Sequence, residues 1–278
     1  MKTKKLTTIL GLIFSAFIFL GAFQDTGTNG NILYVDNTGS SCNGNSPCYP
    51  TIQDAIDAAE DGDTVLVYGV PNKPYKGARN KNLDFNQLIS TKGKIDITVE
   101  SVNGAEDTII DCENGGRGFI FQSGETNASV LDGFTIRNGA LLNGGGIYFR
   151  YNSSPTILNC IIEKNKATGS GSTGNGGGIY CKDNSSPVIE YNAISDNSAG
   201  SRGGGIHCEY SSPQISNNTI SGNKAIQGAG ISVFGATASP IISYNTISGN
   251  HFEDSAVLSN GGGIWCGSST TTILSNKI

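Results

Sequence analysis

Four ionisable residues stand at two fixed places relative to a glycine cluster. Arg150, Lys182 and Glu209 each lie six residues after the first glycine of such a cluster, and His207 lies four after. A lysine or arginine whose pKa is depressed by its surroundings can take a proton from carbon, so Lys182 and Arg150, with His207 beside them, form a candidate catalytic set. Glu209 and Asp183 offer carboxylate oxygens of the kind that hold a hard cation such as Ca²⁺. The competing reading of Lys182 and Glu209 is a solvated ion pair between neighbouring repeats. Four residues after the first glycine stand Tyr148, Tyr180, His207 and Trp265. On successive strands they would form a flat aromatic strip suited to stacking on sugar rings; the alternative is the general preference of aromatic residues for strands.

The glycine clusters set the framework that must position these residues. They begin at Gly144, Gly176, Gly203, Gly228 and Gly261, so successive starts differ by 32, 27, 25 and 33 residues. That period signals a solenoid. Each unit continues with a Ser-Pro or related turn and an apolar piece (SSPTI, SSPVI, SSPQI, ASPII, STTTI), then a third piece such as YNAISDN. Proline fits the first residue of a strand, where a missing N–H is tolerated. Five residues after each proline comes a ladder position: Cys160, then Asn192, Asn218 and Asn245, with Phe134 one coil earlier and Asn276 at the end. Stacked asparagines can bond along the axis and suit a left-handed turn.

Three short strands per unit leave no room for helices, so like strand must pair with like strand in parallel. The fold class expected is all-β: a right-handed parallel β-helix of about seven coils over residues 50–278, with the last coil incomplete. The distance from the ladder position to the next glycine cluster varies (16, 11, 10 and 16 residues), which gathers insertions in one loop before the glycine strand. Strand alternation sends Ile147, Ile179, Ile206, Ile231 and Ile264 inward with Phe149, Cys181, Cys208, Val233 and Cys266, and sends the aromatic strip outward. Cys181 and Cys208 then serve as small buried hydrophobes, or as a disulfide between coils. TIQDAIDAAEDG puts Ile52, Ala55, Ile56 and Ala59 at helical spacing, a short helix able to cover the first coil. GDTVLVYGV, KIDITVESV and DTIIDC read as the three strands of a first coil, and RGFIFQ, SVLDG and FTIRN as the second.

Composition narrows the partners. The chain of 278 residues is 15% charged with a net charge of −5 and no basic run, which argues against nucleic acid and against an anionic membrane surface. At the N-terminus Lys2, Lys4 and Lys5 precede an apolar run from Leu6 to Phe23, the layout of a secretory signal peptide over residues 1–23; an uncleaved anchor is the alternative. No later run is apolar enough for membrane insertion, so the expected location is secreted or cell-surface. Residues 24–49 form an N-terminal segment in which Cys42 and Cys48 enclose SCNGNSPC and are the expected disulfide among seven cysteines. The chain stops at TTILSNKI, and the unfinished coil suggests a truncated sequence.

The stretch YPTIQDAIDAAEDGDTVLVYGV, with ITVESVNGAEDTIIDC and SVLDGFTIRNG, resembles the pectin-lyase-like right-handed parallel β-helix superfamily over residues 50 to 278. ISDNSAGSRGGGIHC and ISGNKAIQGAGISV are similar to the repeats of polymorphic outer-membrane proteins, with Ile194 and Ile220 where those carry Phe. The superfamily resemblance implies a polysaccharide lyase or hydrolase on an acidic glycan, in which Lys182 or Arg150 abstracts a proton beside a uronate carboxylate and Ca²⁺ on Glu209 and Asp183 neutralises it. The clustered acidic and Asp/Arg motifs of pectin-degrading members are not visible here. The preferred expectation is therefore a non-catalytic module that binds a polysaccharide or cell-surface glycan, or adheres through it, with the enzyme as the alternative.

Overall fold

The computed structural model describes residues 30–39, 41–85, 96–252 and 260–278. The signal-peptide expectation lies outside the described residues. The chain winds as a parallel β-helix with strands stacked in four sheets. Three follow the expected pieces of the repeat. The glycine sheet contains Ile147–Phe149, Ile179–Lys182, Ile206–Glu209, Ile231–Phe234 and Ile264–Gly267. The proline sheet contains Thr156–Leu158, Val188–Glu190, Gln214–Ser216, Ile241–Ser243 and Thr272–Leu274. A third sheet holds Ile161–Glu163, Ala193–Ser195, Thr219–Ser221 and Thr246–Ser248. All pair in parallel and in register.

Register places like on like, and the core follows. Ile157, Ile189, Ile215 and Ile242 stack on one wall, Ile162, Ile194, Ile220 and Ile247 on the second, and Ile147, Ile179, Ile206 and Ile231 on the third, each at most 1% exposed. Each such side chain contributes roughly 1.5–3 kcal/mol by leaving water. The N-terminal coils are filled by phenylalanines: Phe121 stacks on Phe149 at 5.2 Å and meets Phe85 edge-on at 4.7 Å. Further along, Cys181, Cys208 and Val233 take over that column as buried residues; the two cysteines are unbridged, and burial beside Cys208 pushes the Cys181 thiol up. Cys42 and Cys48 are joined.

The fourth sheet was not expected. It consists of two-residue strands, Ala140–Leu141, Lys166–Ala167, Ser198–Ala199, Lys224–Ala225 and His251–Phe252, at the corner between the third sheet and the next glycine cluster. It explains the glycines. A β-carbon on Gly177 would lie 2.4 Å from the Ser198 carbonyl oxygen, and one on Gly178 would lie 2.7 Å from the Gly205 oxygen and 3.0 Å from the Asn197 amide. The second and third glycines of the Gly144, Gly176 and Gly203 triplets thus let the backbone press onto the corner strand, where Ala167, Ala199, Ala225 and Ala229, the last standing second in the Gly228 cluster, form a small second core.

Two asparagine ladders run along the axis. In the expected one, Asn218 Oδ1 accepts from the Asn192 backbone N–H at 2.9 Å and its amide at 3.1 Å, while Asn218 Nδ2 donates to the Ile189 and Ser216 carbonyls and to Asn245 Oδ1 at 3.0 Å. The left-handed turn, however, belongs to the preceding residue: Tyr191, Asn217 and Tyr244 have φ of 57°, 58° and 56°. The second ladder, Asn165, Asn197, Asn223 and Asn250, repeats the same bonds at the corner strand. Hydroxyls add a further chain, since Ser154, Ser186 and Ser212 each accept the backbone N–H of the residue one coil on.

At the N-terminal end the helix Ile52–Ala58 forms as its spacing predicts, capped by Thr51, with Ile52, Ala55, Ile56 and Ala59 buried. It blunts an open sheet edge: the Gln53 amide donates to the Asp84 carbonyl at 3.0 Å and accepts from its N–H at 2.9 Å, pairing the end strand Leu83–Asp84 of the glycine sheet. Ile32–Val35 also joins the proline sheet, in parallel with Thr64–Val67. One assignment is corrected. Thr64–Val67 and Thr98–Ser101 pair with each other in the same sheet, so they belong to successive coils. The intervening coil is completed by Tyr75, bridged to Ile110, and by Leu83–Asp84, two short contacts that hydrophobic alternation does not reveal. No helix among the described residues is long and apolar enough to cross a membrane.

The ladder predicts a steep contrast. Asn218→Ala leaves several buried polar groups unpaired and should cost about 3 kcal/mol or more in denaturant unfolding, whereas Asn217→Ala, one residue away and exposed, should cost only about 1–2 kcal/mol through its left-handed backbone.

Candidate functional site

The outward residues of the glycine sheet lie in one column. Tyr148, Tyr180, His207, Ser232 and Trp265 are in register on five successive strands. The Tyr148 and Tyr180 rings stack at 5.1 Å and 6°, and Tyr180 stacks on His207 at 5.3 Å. The direction of these side chains is as alternation predicts; their exposure is not. Tyr180 is 2% exposed and His207 fully buried, while Tyr148 and Trp265 keep part of their surface.

The cover comes from the glycine that opens each triplet. Gly176 and Gly203 have φ of 66° and 62°, which only glycine adopts without strain, and they fold the chain back over the residue four positions on. A β-carbon on Gly203 would stand 2.7 Å from that of His207. The residues just before the triplets, Asn175, Arg202, Gln227 and Asn260, are bridged to one another in parallel and wall the column along that side. A period-2 pattern gives the face of a strand and says nothing of a loop that doubles back on it.

The charged column beside the rings is likewise engaged. The Tyr180 hydroxyl donates to Glu209, and the Lys182 ammonium lies 3.8 Å from the same carboxylate oxygen. Burial, with the Glu209 carboxylate, holds the Tyr180 hydroxyl well above the usual phenol range. Arg150 donates through Nε to Gln122 at 2.9 Å, and Gln122 in turn donates to Asp84 at 2.6 Å. Asp183 sits in the left-handed turn after its strand, at φ 54°, while Glu209 is committed to Tyr180 and Lys182. Glu209 is thus already engaged, and no group of three His, Cys, Asp or Glu side chains that could hold a metal ion occurs among the described residues.

His207 is not an exposed ring. Burial, aided by the positive charges of Arg202 and Lys182 and opposed by the Ser232 backbone, pushes its pKa down to about 3. Neither ring nitrogen has a hydrogen-bond partner of good geometry among the described residues. It is a neutral plate in the aromatic stack.

The accessible part of the face lies at its two ends and includes residues that sequence reading missed. Toward the N-terminus the Arg117 guanidinium lies 4.8 Å from the Tyr148 ring centre, lowered to about 10 by burial, and Arg150 covers Tyr151 at 4.7 Å. Toward the C-terminus Phe234 and Trp265 stack at 6.3 Å and 10°, Arg202 lies over them at 4.7 and 5.6 Å, and Tyr210 meets Phe234 edge-on at 6.2 Å. Arg202 is oriented by Gln227, whose side-chain oxygen accepts from its Nε at 2.8 Å. The signal for Arg202 was present, because it occupies the position before a glycine triplet, but that column holds Asn and Gln elsewhere and does not read as chemistry.

Among known families, a model described as the right handed beta helix region matches residues 76–247. No curated protein and no solved structure matches the chain.

The buried imidazole makes a pH prediction. In the unfolded chain a histidine titrates near 6.5; folded, His207 stays neutral down to about 3. The unfolded state therefore takes up a proton first as pH falls, and stability is complete above about 6.5 and lost progressively between 6.5 and 3, by on the order of several kcal/mol. Urea midpoints measured across that range should flatten in His207→Phe by one proton's worth of slope. A His207 ring that titrates near 6.5 by NMR in the folded protein would contradict this.

Proposed function

The chain belongs to the right-handed beta helix family, and on that scaffold we propose an exported or cell-surface module that binds or adheres to glycans without catalysing their cleavage. The observation that carries the reading is the accessible cluster of Tyr210, Phe234, Trp265 and Arg202 at the C-terminal part of the glycine face. Rings held on or just after consecutive strands of a rigid sheet present apolar surface at low entropic cost, and a guanidinium beside them bonds hydroxyl or acidic groups. Arg117, Arg150, Lys182 and Arg202 lie on this face against Asp84, Asp183 and Glu209, in a chain of net charge −5. That local excess favours a glycan bearing carboxylates or sulfates. Export rests on Lys2, Lys4, Lys5 and the apolar run that follows.

The catalytic alternative has less support. Lys182 is paired with Glu209 and Arg150 with Gln122, and the histidine between them is sealed. A general base must be free to reach its proton.

Retention on immobilised uronic-acid polysaccharides tests the proposal. Arg202→Ala with Trp265→Ala should weaken retention roughly tenfold or more, since a stacked ring and a cation over it each contribute on the order of 1 kcal/mol. Unchanged retention would remove the proposed surface. Release of unsaturated sugar ends that disappears in Lys182→Ala would restore the lyase.

A further inference from the structure

Two tyrosines on a different edge of the solenoid are exposed for no structural reason. Tyr191 and Tyr244 follow the proline-sheet strands Val188–Glu190 and Ile241–Ser243, and they are 60% and 65% exposed. Neither ring makes an aromatic, cation–π or hydrogen-bond contact among the described residues. Both have left-handed backbones, φ 57° and 56°, a conformation that bulky side chains disfavour and asparagine tolerates. The same position on neighbouring coils is in fact Asn159, Asn217 and Ser275, with φ of 49°, 58° and 51°. Folding asks for asparagine here; at alternate coils the chain supplies an exposed aromatic ring instead.

The spacing identifies what such rings would meet. The strands ahead of these positions pair in register, so Tyr191 and Tyr244 are separated by two coils, about 9.6 Å at the inter-strand distance of a sheet. Asn217 lies exposed between them. In an extended β-1,4-linked hexose chain each residue is about one coil long and flipped relative to the last. The same apolar sugar face therefore returns at every second residue. We propose that Tyr191 and Tyr244 are stacking platforms for alternate residues of a neutral β-1,4-linked polysaccharide lying along the solenoid axis, with the Asn217 amide bonding the hydroxyls of the residue between.

The local charge supports a neutral chain. In the flanking proline-sheet positions Glu190 is acidic, with its carboxylate accepting the Ser216 hydroxyl, and Ser243 is neutral; on the third sheet Ala193, Thr219 and Thr246 follow. Lys277, bridged to Thr246 one coil on, balances the Glu190 charge, so the flanking residues offer a polyuronate no excess of cations. The platform rests on the glycan-binding reading for its class of ligand, but it uses a separate corner and a separate charge preference.

Calorimetry on the full chain with cellohexaose, and with maltohexaose as an α-1,4-linked control lacking the two-fold repeat, tests it. The wild type should bind cellohexaose and not maltohexaose; Tyr191→Asn or Tyr244→Asn should weaken binding roughly tenfold, and the double variant should abolish it. Because asparagine is the residue of the neighbouring coils, the double variant should unfold at the same or a higher temperature. Trp265→Ala should leave cellohexaose binding intact while losing the acidic polysaccharide, so either surface can fail alone. No cellohexaose binding, equal binding of both hexaoses, or unchanged binding by the double variant overturns the proposal. So does a lowered unfolding temperature in that variant, which would make the rings structural, or capture of a protein partner through them with no sugar bound.

Discussion

The structure depends on one repeated interaction: an asparagine amide at a corner that accepts the backbone N–H of the coil before it and donates to carbonyls of its own and the preceding coil. Strand hydrogen bonds run only between like strands, so they end wherever the chain turns. A corner leaves buried backbone groups that must find partners. Asn192, Asn218 and Asn245 supply them at one corner and Asn197, Asn223 and Asn250 at another, buried or nearly so and bonded to their counterparts on adjacent coils. Each ladder therefore fixes the register of the whole stack, because a coil that slipped would break bonds on both sides.

The glycines are a consequence of the second ladder. Its amides and the corner strand beneath them occupy the space where β-carbons of the triplet would project, so Gly178 beside Asn197 and Gly205 beside Asn223 must be bare. The first glycine then takes a left-handed turn and lays the chain over the outer face. What reads as a flexible Gly-rich loop is thus a tightly specified corner, and it turns Tyr180 and His207 from surface into a second buried layer. The accessible surface of this face is reduced to the ends of the aromatic column by the same packing that closes the coils.

Much of this was legible. The period of the glycine clusters gave the solenoid, Ile alternation gave the core walls, and the constant five residues from proline gave one ladder. The second ladder was equally visible as the final Asn of YNAISDN, NNTISGN and YNTISGN, but no apolar strand follows it, and a two-residue strand has no periodicity to detect. The early coil containing Tyr75 and Leu83 was hidden for the same reason. At the site, the identity of the rings and their side of the strand could be read, while their burial could not. Burial there is set by a backbone reversal, and a sequence records such a reversal only as glycine.

In a solenoid the scaffold demands are the same at every coil, so the residues that depart from them carry the information. At the corner after the proline sheet the backbone sign asks for asparagine or glycine, and at the corner after the third sheet Gly222 and Gly249 meet that demand while Lys164 and Asp196 do not. A departure that gains burial or a partner is explained by packing, as with Tyr180 under its glycine turn and bonded to Glu209. A departure that costs backbone strain and gains neither contact nor burial is carried by the stability of the surrounding coils, and it points to a role outside folding. Tyr191 and Tyr244 are of the second kind, and their strain is a stronger argument for a ligand than exposure alone, since single exposed aromatics are common on any surface.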